Sequence, residues 1–198
     1  MPNWCTNELT ISGNAETLDE ILEFCEGENG RLDFDKIIPY PEPYKQMDKE
    51  APDWTLGQEA RDAQMAIYEA KWGTTHDGYN SGGYEWCCKN WGTKWNASSV
   101  SLTDNPDDVC FSFDTAWSPP IQVIEKLASK FPTLNFELKY EERGLNFAGD
   151  IFLSEGKVSY HNEYSYHYGK EDEEDEEDEN GEYEDTESFE AYRLFHGK

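Results

Sequence analysis

The stretch Met1–Gly13, MPNWCTNELTISG, decides the fold. Cys5, Asn7, Leu9 and Ile11 alternate with Thr6, Glu8, Thr10 and Ser12. That two-residue period is the mark of a strand with one buried face. One position is out of keeping, because Asn7 stands in the apolar register. The stretch has no basic segment followed by an apolar one, so no secretory signal is expected in it.

The pattern repeats outward from this strand. Asn14 is suited to cap a helix, and Leu18, Ile21, Leu22 and Cys25 recur at helical spacing behind it. Gly27 and Gly30 end that helix. Leu32, Phe34, Ile37 and Ile38 predict a second strand over 32–38, closed by Pro39, Pro41 and Pro43. A second unit follows. Val109, Phe111 and Phe113 mark a strand, and Ser118 and Pro119 read as N-cap and first helical residue. Ile121, Ile124, Leu127, Ala128 and Phe131 form a helical stripe, and Phe136, Leu138 and Tyr140 alternate in another strand. Strand-helix-strand twice predicts an α+β ferredoxin-like split β-α-β sandwich, with an antiparallel sheet and helices on one face. Two more strands, about 146–153 and 157–164 around Glu155-Gly156, predict an extra hairpin.

Residues from about 40 to 98 break the pattern and read as an insertion. Within it, 55–72 predicts a helix with Leu56, Ala60, Ala63, Ile67 and Ala70 on one face, small residues that suit close packing. A Gly-rich stretch (73–84) and a Trp-rich one, WCCKNWGTKWNASSV, follow; the latter ends in a possible strand. The ferredoxin-like domain is expected over 1–168 and an acidic tail over 169–198.

The chain of 198 residues carries 43 Asp+Glu against 16 Lys+Arg. Residues 171–190 hold 14 of those acids and no base, leaving 29 − 16, a net of −13, for the rest. Glu171, Asp172, Glu173, Glu174, Asp175, Glu176, Glu177, Asp178 and Glu179 form the acidic interaction segment. Such a run cannot bury enough apolar surface to order itself. The closing SFEAYRLFHGK places Phe189, Tyr192 and Phe195 at helical spacing, as a short helix docked on the domain, a partner-binding helix or a frayed end.

This charge opposes binding to nucleic-acid phosphates and anionic membranes, and suits the basic surface of a protein. Solubility alone is the other explanation. Five cysteines, an odd number, with Cys5, Cys25 and Cys110 in apolar register, point to reduced thiols and a cytoplasmic location. No apolar run has the length of a membrane span.

The candidate binding residues are Asn7, Trp91, Lys94, Trp95, Asn96, Thr115 and Trp117. They read either as an aromatic site with polar hooks or as rings covering one end of the sheet. No catalytic residue is assigned, and no cofactor is expected. His161 and His167, with His76 or Cys87-Cys88, lack the spacing of a zinc site, so no metal is assigned. Calcium-loop, phosphate-cradle and nucleophile-elbow motifs are missing from the sequence.

Three strings, MPNWCTNELTISG, NWGTKWNA (90–97) and FDTAWSPP (113–120), resemble the YubB-like ferredoxin-like family of phage and plasmid proteins, over about residues 1–165. The resemblance implies a ferredoxin-like domain with an inserted helical region, encoded on mobile elements and of no established enzymatic activity. It also implies that Asn3, Trp4, Asn7, Trp91, Lys94, Trp95, Asn96 and Trp117 are shared signature positions. The acidic tail departs from the family pattern. The function expected is a non-enzymatic accessory protein that binds a host protein through its acidic surface, as an anti-defence inhibitor or DNA mimic. The alternative is a single-stranded nucleic-acid or nucleotide-binding module using the Trp cluster.

Overall fold

The opening alternation sets the first element. In the computed structural model, which describes residues 3–165, β1 (Trp4–Ser12) buries Cys5, Asn7, Leu9 and Ile11 and turns Trp4, Thr6 and Glu8 to solvent. The acidic segment Glu171–Glu179 and the expected C-terminal helix lie outside the described residues. α1 (Ala15–Cys25) starts where expected: the Asn14 side chain accepts from the Thr17 N–H at 2.9 Å, satisfying one of the free donors of the first turn. It buries Leu18, Ile21 and Cys25.

Residues 32–38 are not a strand. Asp33 caps a single helical turn, α2 (Phe34–Ile37), by accepting from the Asp35 N–H at 3.1 Å. Leu32, Phe34 and Ile37 are buried all the same. A short apolar run is buried as readily in a helical turn as in a strand, and here the carboxylate cap decides between them. The insertion therefore begins directly after α1. It continues through α3 (Glu42–Glu50), α4 (Gln58–Trp72), a π turn at Tyr79–Gly83 and α5 (Tyr84–Asn90). α4 packs inward through Tyr68, with Met65 and Trp72 half-buried, while Ala60, Ala63, Ile67 and Ala70 face solvent. The close packing expected of those small residues is not made among the described residues.

The strand that completes the first unit is β2 (Ser98–Asp104), far downstream of its expected place. β3 (Asp108–Ala116), α6 (Ile121–Lys130) and β4 (Asn135–Glu142) follow. The hairpin β5 (Phe147–Ser154) and β6 (Lys157–Ser165) comes last. The sheet order is β2-β3-β1-β4-β5-β6, and each neighbouring pair is antiparallel. The first four strands, with crossovers α1 and α6, make the ferredoxin-like sheet, and the hairpin widens it beyond β4. Glu155 (φ 50°) and Gly156 (φ 75°) both take left-handed backbone, the turn whose twist matches paired strands.

α6 begins later than Ser118 and Pro119 predict, after Pro120. Trp117 has φ 77°, so the chain turns sharply before the helix and Ser118 is drawn to another partner. One face of the sheet is covered by α1, α2, α5 and α6, whose apolar side chains join Leu9, Phe111, Phe113, Phe136 and Leu138 in one core. Among the described residues, no helix covers the other face.

Candidate functional site

Three strings far apart in sequence close on one another at one end of the sheet. Asn7 donates to Thr115 Oγ1 at 2.9 Å, to the Cys5 carbonyl at 2.9 Å and to the Phe113 carbonyl at 3.3 Å. This explains the polar residue in an apolar register. A buried amide is tolerated where its donors are satisfied, and here it stitches β1 to β3. Thr115 Oγ1 in turn donates to the Ser118 carbonyl at 2.7 Å. Thr93 donates to the Ala116 carbonyl at 2.9 Å, and Ser118 to the Gly92 carbonyl at 2.5 Å. Gly92 is required by its backbone conformation. Its φ is 82°, and a Cβ there would come within 2.2 Å of Gln122 Oε1 and 3.0 Å of the Pro119 carbonyl.

These bonds form a clasp of the three strings, which divides the candidate binding residues into two sets. Asn7 and Thr115 are its buried bolts. Trp91 is only 6% exposed, packs against Phe34, Tyr40 and Trp86, and donates its indole N–H to the Ile38 carbonyl at 2.8 Å. Asn96 accepts from the Phe34 N–H at 2.8 Å and donates to Asp33 Oδ1 at 2.6 Å. These four side chains hold the fold. Asn96→Ala removes a bond to a buried carboxylate and a helix-start N–H, and is expected to cost ~2 kcal/mol in a urea melt. A loss below ~0.5 kcal/mol would show that the Asp33 cap stands without it.

The other three, Lys94, Trp95 and Trp117, reach solvent, and Trp4 joins them. Trp4, Trp95 and Trp117 are 42%, 40% and 41% exposed, one from each string. Trp4 and Trp95 lie with ring centroids 6.2 Å apart. Lys94 Nζ sits 3.5 Å from the Trp117 centroid and 4.2 Å from that of Trp95, held over two ring faces. The first-string Trp4 was legible only through the family resemblance, since its partners are more than 90 residues away.

The open face beside this patch is acidic. Strand parity places Glu8, Asp108, Asp114, Glu137, Glu141 and Asp150 on it. Lys139 stands among four of them. It faces Glu8 across β1 and Asp150 across β5, with Glu137 and Glu141 two residues away on its own strand. Its Nζ is 3.1 Å from Glu137 Oε1. Asp150 Oδ2 is buried with no hydrogen-bond partner among the described residues. Burial holds that carboxyl above its usual range, the nearby Lys139 pulls it back, and Glu137 adds to the rise. A shallow hollow of about 380 Å³ lies here, walled by Thr6, Glu8, Glu141, Asp150 and Tyr164 over Ala148. The central strands β1 and β3 offer Thr6, Glu8, Cys110, Ser112 and Asp114 where an RNA-reading sheet would present stacking aromatics; Cys110 is thus on the open face and not in the apolar register expected of it, because Val109 and Phe111 on either side take the inward positions.

Among the described residues, no three of His, Cys, Asp and Glu are gathered to hold a metal. His161 Nε2 meets the Tyr140 hydroxyl at 3.1 Å, and His167 lies outside the described residues. Nor is any described helix long and apolar enough to cross a membrane.

Residues 90–190 match the family described as the ferredoxin-like domain in Api92-like protein. The chain belongs to that family. The Api92-like match opens at Asn90, so it takes in both the W-G-T-K-W-N and D-T-A-W-S-P-P strings and the sheet from β2 onward. The crystal structure of protein Api92 from Yersinia pseudotuberculosis is similar in fold, with TM-score 0.52 and 13% identity over 85% of this chain and 100% of that one. No curated protein matches the chain.

Proposed function

We propose that this Api92-like protein is a non-enzymatic accessory protein of a phage or plasmid, acting in the host cytoplasm. Its open sheet face would dock on the basic surface of a host protein, one that handles nucleic acid. The observation that carries the reading is the charge surplus around Lys139: four carboxylates from three strands meet two cations, Lys139 and the Arg143 that pairs with Glu141 at 3.0 Å, and one oxygen of Asp150 is buried with no hydrogen-bond partner among the described residues. Arg and Lys from a partner would complete that ion-pair network, and carboxylates spaced across strands can occupy a groove built for phosphates. The mobile-element origin rests on the resemblance of the three strings. The Trp4–Trp95–Trp117 patch favours a second reading, a stacked nucleotide. Asp114 and Glu141 beside it oppose a phosphate, and Lys94 already covers two of the rings.

The experiment compares the full chain with a Glu8→Lys/Glu141→Lys variant as bait in host lysate, with a single-stranded oligonucleotide as counter-probe. The proposal expects a nucleic-acid-handling protein retained at low salt, released as salt rises, and lost with the variant. Retention undiminished by the charge reversal, or tight capture of the oligonucleotide, would refute it.

A further inference from the structure

The partner's cation is narrowed further by the tryptophan patch, on an argument that rests on the reading just given. We infer that the end of the open face formed by Trp4, Trp95 and Trp117 is an arginine-selective anchor. Its occupant is an arginine of the basic partner, and Lys94 is the internal cation that this arginine displaces.

Three observations converge. The rings hold a cation in this very structure: Lys94 Nζ lies 3.5 and 4.2 Å from two of their centroids. Each of the three indoles leaves about two fifths of its surface in solvent. The patch also adjoins carboxylates. Trp4 is two residues from Thr6 on the same face of β1, and Thr6 is flanked by Asp114 on β3 and by Glu141 on β4, of which Glu141 Oε1 already pairs with Arg143 and Asp114 is the carboxylate left for a partner's guanidinium. Thr6 Oγ1 donates to Asp114 Oδ1 at 3.4 Å, which keeps that carboxylate at the patch. An aromatic face beside a carboxylate suits a guanidinium better than an ammonium. The planar group stacks on the ring while its edge forms two parallel bonds to the carboxylate, and it sheds water more easily. Lysine satisfies only one of these contacts well. Trp and Arg are also both enriched at the energetic centres of interfaces.

The test uses the full chain and two probe peptides of equal length and charge, one Arg-Gly and one Lys-Gly, titrated by calorimetry at low salt. The acids of residues 171–190 attract both peptides, so the reading is the ratio of affinities. The arginine peptide is expected to bind ~3-fold or more tightly than the lysine peptide. Trp4→Ala/Trp117→Ala is expected to bring the ratio to about one while its circular dichroism matches the parent. Lys94→Gln, which empties the rings without touching them, is expected to strengthen arginine binding. A ratio near one in the parent, a ratio that survives loss of the two tryptophans, or weaker arginine binding by Lys94→Gln overturns the inference. Glu8→Lys/Glu141→Lys separates this from the broader reading. If that variant leaves both affinities unchanged, the acidic face is not the docking surface. If it weakens both while the parent ratio is one, only the anchor is lost.

Discussion

Trp91→Ala is expected to lower stability by ~3–5 kcal/mol, the cost of emptying a large aromatic site in a packed core. The indole is buried among Phe34, Tyr40 and Trp86, and its N–H satisfies the Ile38 carbonyl. Truncation therefore leaves a cavity and an orphaned acceptor together. For a chain of this size the midpoint of thermal unfolding should fall by about 10 °C. Trp117→Ala is the contrast, because its ring is 41% exposed. It should cost under ~1 kcal/mol. One tryptophan fills the core and the other lies at the surface. A midpoint for Trp91→Ala within about two degrees of the parent would remove the clasp from the core.

The second large effect is alkaline. Burial pushes the thiols of Cys5, Cys25 and Cys87 up to about 12 from an ordinary value near 9.0. Below pH 9 both the folded and unfolded chain keep these protons, and the thiols' contribution to stability is complete. Above it the unfolded chain sheds protons that the folded chain retains, so unfolding is favoured as pH rises through the interval from 9 to about 12. Three such groups should remove roughly 3 kcal/mol between pH 9 and pH 10. Urea melts at pH 8, 9 and 10 measure it. Cys25→Ala, whose shift comes from burial alone, should reduce the decline over that interval by roughly 1 kcal/mol, the remainder coming from the other buried thiols and from Tyr40, Tyr79 and Tyr140, whose hydroxyls are also pushed up. A parent stability level across that range would contradict the burial of all three thiols.

Much of the architecture was readable along the chain. Period-two alternation in β1, β3 and β4 and the stripes of α1 and α6 are local patterns enforced by one buried face, so they survive without coordinates. The Glu155-Gly156 hairpin was legible for the same reason. Residues 32–38 were not. Their apolar spacing fits a strand or a turn of helix equally, and the choice falls to Asp33, whose cap is locked by Asn96 more than 60 residues away. The true second strand, β2, has a weak alternation because it is an edge strand with little of its surface buried. α4 misled in another way: its small-residue face looks made for packing, yet the chain packs it through Tyr68 instead.

The candidate site divides along the same line. Sequence reading singled out Asn7, Trp91, Lys94, Trp95, Asn96, Thr115 and Trp117 by residue type and density, and all seven do lie in or on the clasp. Which of them face inward depends on hydrogen bonds spanning about 25 to more than 100 residues, and no local pattern encodes those.

What the amino-acid order determined alone is the first strand and helix, the whole of the second strand-helix-strand unit, the strong negative charge and the residues worth watching, because periodicity and composition are properties of neighbours. Tertiary structure alone decided that three distant strings meet, that Asn7, Trp91, Asn96 and Thr115 hold the fold while Trp4, Lys94, Trp95 and Trp117 reach solvent, and that carboxylates from separate strands crowd one lysine. Those outcomes depend on strand order and register, which bring together residues that the chain keeps far apart.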